Sequence, residues 1–254
     1  MSAAEVCAAC APVRAGATSS SADTSAIIVA GGSGERFGDP RGKQFVELCG
    51  LPLASWSLAV YDRAPSVAQI VIVCPPDKAD MMREQVIAPL ALTKPIVLAP
   101  GGELRQDSVR SGLAAASADL PLVAIHDAAR PLTEVDLIEA ILAYVRSDPQ
   151  RAGAICAARV TDTLKLVEGS RIVSTPDRSF YWAAQTPQVF WRDAIVAAHE
   201  RAHADGYVAT DDASVIEREG GRVDVFESPR DNIKVTLPED LASAAAILSE
   251  RLLG

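Results

Sequence analysis

A chain of 254 residues with 49% hydrophobic and 22% charged residues has the balance of a globular protein large enough to bury a core without disulfides. Aromatic residues make up only 5%, so Ala, Val, Leu and Ile must build that core, which favours α/β layers over an aromatic-rich β-sandwich. A net charge of −9 argues against broad binding to nucleic acid, and no apolar run approaches the roughly 20 residues of a membrane-spanning helix.

Residues 1–24 are rich in Ala, Ser and Thr, carry no sustained period, and read as a disordered extension. They lack the basic patch and apolar stretch of a secretory signal, so the cytoplasm is the expected location. Of the five cysteines, Cys49, Cys74 and Cys156 suit reduced thiols. Cys7 and Cys10 form a C-x-x-C pair with no second pair to complete a zinc site, and read as two thiols in a tail.

The globular domain is expected over 25–254, beginning with a buried strand at 26–30. Similar apolar runs lie at 69–74, 95–99 and 122–125, with helical patterns at 53–64 and 77–92 between them. Thr133 reads as the N-cap of a helix carrying Val135, Ile138, Leu142 and Val145 on one stripe. Alternating strands and helices predict a Rossmann-like, doubly wound, mostly parallel sheet. The rhythm breaks over about 153–190, where short strands and polar turns suggest a small β-ribbon arm. Helices resume near Asp193 and Asp211, a strand is expected at 222–227, and Thr236-Leu237-Pro238-Glu239 reads as a capping box opening a last helix.

The chemistry is expected directly after the first strand, at Ala30-Gly31-Gly32-Ser33-Gly34-Glu35-Arg36-Phe37-Gly38. Glycines let backbone N–H groups approach phosphate oxygens closely, although a tight turn without a ligand has the same composition. The P-loop pattern is absent, and Phe37 stands where a dinucleotide fingerprint needs its third Gly. Arg36 and Lys43 instead place two cations beside the turn, as phosphoryl or nucleotidyl transfer requires.

This segment, with Lys43-Gln44-Phe45, resembles the signature of the sugar nucleotidyltransferases. Further motifs follow in order: Gly101-Gly102-Glu103-Leu104-Arg105-Gln106-Asp107-Ser108-Val109, His126-Asp127-Ala128-Ala129-Arg130-Pro131, Asp162-Thr163-Leu164-Lys165, Thr186-Pro187-Gln188, Thr210-Asp211-Asp212-Ala213-Ser214 and Asp231-Asn232-Ile233-Lys234-Val235-Thr236. Together they resemble the 2-C-methyl-D-erythritol 4-phosphate cytidylyltransferase family across residues 26–252. Gly42 stands where the family usually has Pro, and Arg41 has no assigned role.

The resemblance implies that the phosphate of methylerythritol phosphate attacks the α-phosphorus of CTP directly and releases pyrophosphate. It implies Arg36, Lys43 and Lys234 as catalytic cations, and Ala30, Gly31, Gly32 and Ser108 around the cytidine. Asp127, Arg130, Thr163, Arg178, Thr186 and Thr210 would serve the polyol phosphate, and Asp127 also a Mg²⁺ or other divalent cation. Arg130 has a second reading as a structural arginine, and His126 reads as a packing residue rather than a general base. The arm carrying Arg178 implies a homodimer with composite active sites. The competing readings are a ribitol-5-phosphate cytidylyltransferase, against which Ala129 leans, and a silent nucleotide-sensing subunit, against which the retained Arg36 and Lys43 speak.

Overall fold

The strands at 24–29, 67–74 and 122–127 are buried almost throughout because apolar residues run through them with little alternation. The computed structural model describes residues 22–32 and 37–253; Cys7, Cys10 and Arg36 lie outside them. In chain order the strands are β1 (Thr24–Val29), the hairpin strands β2 (Glu47–Leu48) and β3 (Leu51–Pro52), β4 (Val67–Cys74), β5 (Ile96–Pro100) and β6 (Leu122–Asp127). Then follow β7 (Gly153–Arg159), the ribbon strands β8 (Leu166–Glu168) and β9 (Arg171–Ser174), β10 (Trp182–Trp191) and β11 (Val223–Glu227). The main sheet has the order β11-β7-β10-β6-β1-β4-β5. Strand β10 runs antiparallel to both its neighbours, while the other pairs are parallel.

Consecutive strand residues feed opposite faces. Ile28, Ile70 and Ile72 pack on one side with Leu58 and Tyr61 of helix Leu53–Arg63 and Leu142 of helix Val135–Arg146. Ile27, Val71 and Val73 pack on the other with Val109 and Leu113 of helix Arg105–Ala115 and Ile195 of helix Arg192–Ala204. The expected doubly wound architecture is therefore present, with one core on each face.

Several expected boundaries move. Residues 153–159 and 182–191 belong to the central sheet, so the projecting arm is only about 160–181. The small residues of Gly153-Ala154-Ile155-Cys156-Ala157 let β10 pack against β7; a Cβ on Gly153 would lie 2.2 Å from the Phe190 ring. The helix expected over 77–92 becomes a short α-turn, Ala79–Met81, and a π-helical turn, Met82–Ile87, before Pro89. Helix Val135–Arg146 begins after Glu134, because the Thr133 hydroxyl is spent on Asn232 Oδ1 at 2.9 Å. In the last helix, Pro238–Leu253, Asp240 rather than Glu239 closes the cap, accepting from the N–H groups of Thr236 and Leu237 at 2.7 and 2.9 Å.

The fold also reaches further toward the N-terminus than Ala26. Thr24 is fully buried in β1, and Asp23 pairs with Arg146. Removing residues 1–21 keeps both contacts and gives the reference melting temperature. Removing 1–24 should lower it, by about 2–4 °C for each kcal/mol lost in a chain of this size. Equal melting temperatures for the two truncations would deny Asp23 and Thr24 any share in stability.

Candidate active site

Three chain segments leave the same edge of the sheet because their strands end side by side. Ala30 donates to Val73 O, Gly101 to Cys74 O and Ala128 to Val29 O, at 2.8, 2.8 and 3.1 Å. The glycine turn after β1, the turn after β5 and the end of β6 thus converge at the carboxyl ends of the parallel strands, where open α/β sheets bind ligands. They surround a cavity of about 750 Å³. Of the expected site residues, Ala30, Gly31, Gly32, Lys43, Ser108, Asp127 and Lys234 line it.

The side formed by the glycine turn is closely fitted. A Cβ on Gly31 would lie 2.9 Å from Ser108 Oγ, so a side chain there would displace the serine. Ser108 Oγ accepts from Gly102 N–H at 3.1 Å, which fixes the hydroxyl and leaves its proton for another acceptor. Asp107 accepts from Leu104 N–H at 3.3 Å and helps start helix Arg105–Ala115. Gly42 has φ +99°, which proline cannot adopt, so this chain shapes the loop before Lys43 differently from one with Pro there.

Elsewhere in the lining, Asp127 is held between two cations, with Lys234 Nζ 2.6 Å from Oδ2 and Arg105 Nε 3.1 Å from Oδ1. Burial would raise its pKa, but Arg105 and Lys234 outweigh burial and hold the carboxyl well below the usual carboxylate range. Arg105 also reaches Asp212 Oδ2 at 2.8 Å; burial opposes its charge, yet Asp212 and Asp127 keep it firmly protonated. Lys43 Nζ donates to Val235 O at 3.1 Å, which brings it to the segment carrying Lys234. That segment is anchored by Val235 N–H on Ala129 O at 2.8 Å and by Asn232 on Gln185 Oε1 and Thr186 O.

His126 and Thr186 form the support behind Asp127. Burial lowers the His126 pKa to about 4, so the ring is neutral at physiological pH. Its Nε2 faces Arg130 O at 3.2 Å and must therefore donate. Nδ1 is left to accept from the Thr186 hydroxyl at 3.1 Å, and Thr186 Oγ1 in turn accepts from Asp127 N–H at 3.1 Å. This agrees with a packing role for His126. It also places Thr186, only 3% exposed, behind the cavity rather than on its wall.

Arg130 is held by backbone carbonyls. It is buried and donates to Asn232 O at 2.6 Å and Ala184 O at 3.4 Å, and it is not among the lining residues. Thr163, Arg178 and Thr210 are exposed, and they too lie outside the lining. Arg178 is tied to the base of the arm by donation to Thr161 O.

Four contributors carried no role in the sequence. Lys78 lines the cavity and holds the Lys43 loop by donating to Arg41 O at 2.9 Å. Arg41 is spent within its turn, pairing with Asp39 at 2.9 Å. Asp212 fixes Arg105, and Gln188 bridges Asp211 Oδ2 and Asp212 N–H at 3.0 and 3.2 Å. Asp212 is 1% exposed beside the apolar Ala213, Val215 and Ile216, and a carboxylate directly preceding such residues was the available signal.

The profile of the family described as "IspD: 2-C-methyl-D-erythritol 4-phosphate cytidylyltransferase" matches residues 24–250. A 2-C-methyl-D-erythritol 4-phosphate cytidylyltransferase of Syntrophotalea carbinolica is 44% identical over 223 residues, covering 87% of this chain and 94% of the relative. One of Geobacillus kaustophilus is 42% identical over 227 residues, covering 89% and 97%. The crystal structure of 4-diphosphocytidyl-2C-methyl-D-erythritol synthase from Anaerococcus prevotii superposes with a TM-score of 0.78 at 27% identity, covering 89% of this chain and 96% of that one.

Proposed function

The chain belongs to the 2-C-methyl-D-erythritol 4-phosphate cytidylyltransferase family, and from that membership we propose that it transfers CMP from CTP to 2-C-methyl-D-erythritol 4-phosphate, releasing pyrophosphate. The observation that carries this reading is that Gly31, Ser108, Lys43, Lys234 and Asp127 all line one cavity. A glycine-backed slot suits a nucleoside, and converging ammonium groups suit phosphates whose charge grows during transfer.

A phosphate oxygen of the polyol phosphate attacks the α-phosphorus, the new P–O bond forms, and the bond to the β-phosphate oxygen breaks. Pyrophosphate leaves with the electron pair. The attacking phosphate is already ionised near neutral pH, so no general base is required. Lys43 and Arg36 hold the triphosphate, Lys234 bears on the reacting phosphates, and Ala30, Gly31, Gly32 and Ser108 receive the cytidine. Turning charge over to fixed donors costs no reorganisation during the step.

A divalent cation fits this wall in one specific way. Among the described residues no group of three or more His, Cys, Asp or Glu could hold a metal ion. Asp127 is an ionised carboxylate with lone pairs left beyond its two ion pairs. Mg²⁺ is commonly held by one or two carboxylates together with substrate phosphates and water, so Asp127 would hold it with phosphate oxygens. When bound, the ion neutralises phosphate charge.

Thr163, Arg178 and Thr210 are the remaining contacts to the polyol phosphate in this reading, with Thr186 setting the Asp127 backbone from behind. The arm exposes Leu166, Ile172 and Phe180 at 57%, 57% and 81%, apolar surface that a second subunit would cover. The active protein is therefore a homodimer in which the arm brings Thr163 and Arg178 to the partner's cavity. No helix among the described residues is long and apolar enough to cross a membrane, which is compatible with a cytoplasmic enzyme of small metabolites.

The function is tested by pyrophosphate release with CTP against methylerythritol, ribitol and glycerol phosphates. Turnover should be fastest on methylerythritol 4-phosphate. Faster turnover on ribitol 5-phosphate would reassign the substrate, and folded protein inactive on every polyol phosphate would be a silent subunit.

Arg178→Ala should raise KM for the polyol phosphate far more than KM for CTP. Mixed with Lys43→Ala chains, it should recover activity toward half the wild-type value per heterodimer, because one site then holds both residues. No recovery after demonstrated subunit exchange would place Arg178 in its own chain's site.

A further inference from the structure

Helix Arg105–Ala115 starts at the rim of the cavity; its first residue reaches the start of helix Asp212–Arg218, and its second reaches the loop that leads into that helix. Arg105 pairs with Asp212 at 2.8 Å. Gln106 is engaged at both ends of its carboxamide. Nε2 donates to Tyr207 O at 3.0 Å, and Oε1 accepts from Ala209 N–H at 2.7 Å. A neutral carboxamide is the side chain that offers a donor and an acceptor from one rigid plane, so it pairs with the backbone on either side of Val208 as a strand would.

The loop needs such support. It joins helix Arg192–Ala204 to helix Asp212–Arg218 without regular structure, and Tyr207, Val208 and Thr210 are exposed along it. Its start is tied by Tyr207 N–H to Ala202 O at 2.8 Å, and its end by the Asp211 side chain, which caps the next helix by accepting from Ser214 N–H at 3.0 Å. Gln106 grips the stretch between, immediately before Thr210. Two residues further along the Gln106 helix, Ser108 lines the cavity beside the glycine turn.

We propose that Gln106 is a positioning residue that sets Thr210 for the polyol phosphate and joins its loop to the helix that receives the nucleotide. This rests on the reading of Thr210 as a phosphate contact. Without the carboxamide, the loop samples more conformations, and the polyol phosphate must order it on binding. The penalty falls on that substrate and not on CTP, whose contacts lie on the helix and the glycine turn.

The test is steady-state kinetics of Gln106→Ala, Gln106→Glu and Thr210→Ala, alone and combined. Gln106→Ala should raise KM for the polyol phosphate about five- to tenfold, the range for one or two lost neutral hydrogen bonds. Its kcat and its KM for CTP should stay near wild type. Gln106→Glu keeps the acceptor for Ala209 but sets a second oxygen against Tyr207 O, and should show most of the same defect. In a Thr210→Ala background, Gln106→Ala should add less than about twofold, because both changes act on one contact. Amide exchange at Ala209 should quicken in Gln106→Ala.

A wild-type polyol KM in Gln106→Ala, with a raised KM in Thr210→Ala, overturns this inference alone. Equal rises in both substrates' KM with a lowered melting temperature would make Gln106 a fold support and overturn it too. A wild-type KM in Thr210→Ala would remove the phosphate contact itself, and the inference with it.

Discussion

Lys43→Ala should lower kcat roughly 100- to 1000-fold, the cost of losing one donor aimed at developing charge, about 2.7–4 kcal/mol. The fold should survive. Lys43 donates to Val235 O at the cavity rim, and its 3₁₀ turn Lys43–Phe45 is held by buried Gln44 and Phe45. Arg36→Ala is expected to behave alike, since the proposed function puts both cations on the same phosphates. Because they act on one growing charge, the double variant should fall short of the product of the two single losses. A Lys43→Ala enzyme with near wild-type kcat would show that this ammonium does not stabilise the transferring phosphoryl group.

Asp127→Asn should be the second large loss, on the order of 100-fold in kcat, because it disarranges two cations at once. Lys234 and Arg105 both lean on this carboxylate, and the amide can neither neutralise them nor hold a divalent ion. Stability should fall as well, on the order of 2 kcal/mol. Breaking a buried pair costs more than that, but both partners here are about a third exposed and solvent screens them. The pH dependence has a definite sign. A carboxyl whose folded pKa is depressed contributes stability that is fully present above its unfolded pKa of about 3.9 and is lost as pH falls through the folded value. The stability gap between wild type and Asp127→Asn should therefore stay constant above about pH 5 and close only in acid. A gap that varies between pH 6 and pH 8 would mean that another group carries the effect, and wild-type kcat would place Asp127 outside the reaction.

The parts of the fold written in local pattern were legible. Unbroken apolar runs such as Ala26-Ile27-Ile28-Val29 can only be strands covered on both sides, and they predicted the doubly wound sheet. Strand β10 was not legible as sheet because its ends, Trp182-Ala183-Ala184 and Phe190-Trp191, flank a polar centre, Gln185 to Gln188. That centre is buried by partners distant in sequence: Gln185 takes Ser228 and Asn232, and Gln188 takes Asp211 and Asp212. No local period encodes such pairing. Thr133 failed as a helix cap for the same reason, since Asn232 competes for its hydroxyl from 99 residues away.

The site divides along the same line. Ala30 to Gly32, just after β1, and Asp127, at the end of β6, could be placed at the cavity because strand ends determine where they go, whereas Ser108, inside helix Arg105–Ala115, was singled out by the resemblance alone. Arg105 could be seen as a loop charge but not as the link between Asp127 and Asp212, which lie 22 and 107 residues away. Nor could the sequence show that the Arg130 guanidinium donates to the carbonyls of Asn232 and Ala184, 102 and 54 residues away.

The central claim is direct transfer of CMP to an intact polyol phosphate, and isotope tracing tests it in one reaction. Methylerythritol 4-phosphate labelled with ¹⁸O in its phosphate is incubated with CTP, Mg²⁺ and the full-length protein, and both products are weighed by mass spectrometry. Attack by the polyol phosphate on the α-phosphorus predicts that all of the label stays in the cytidine diphosphate-linked product and none enters pyrophosphate. Label in the pyrophosphate, or a product that has lost phosphate label, would contradict the account.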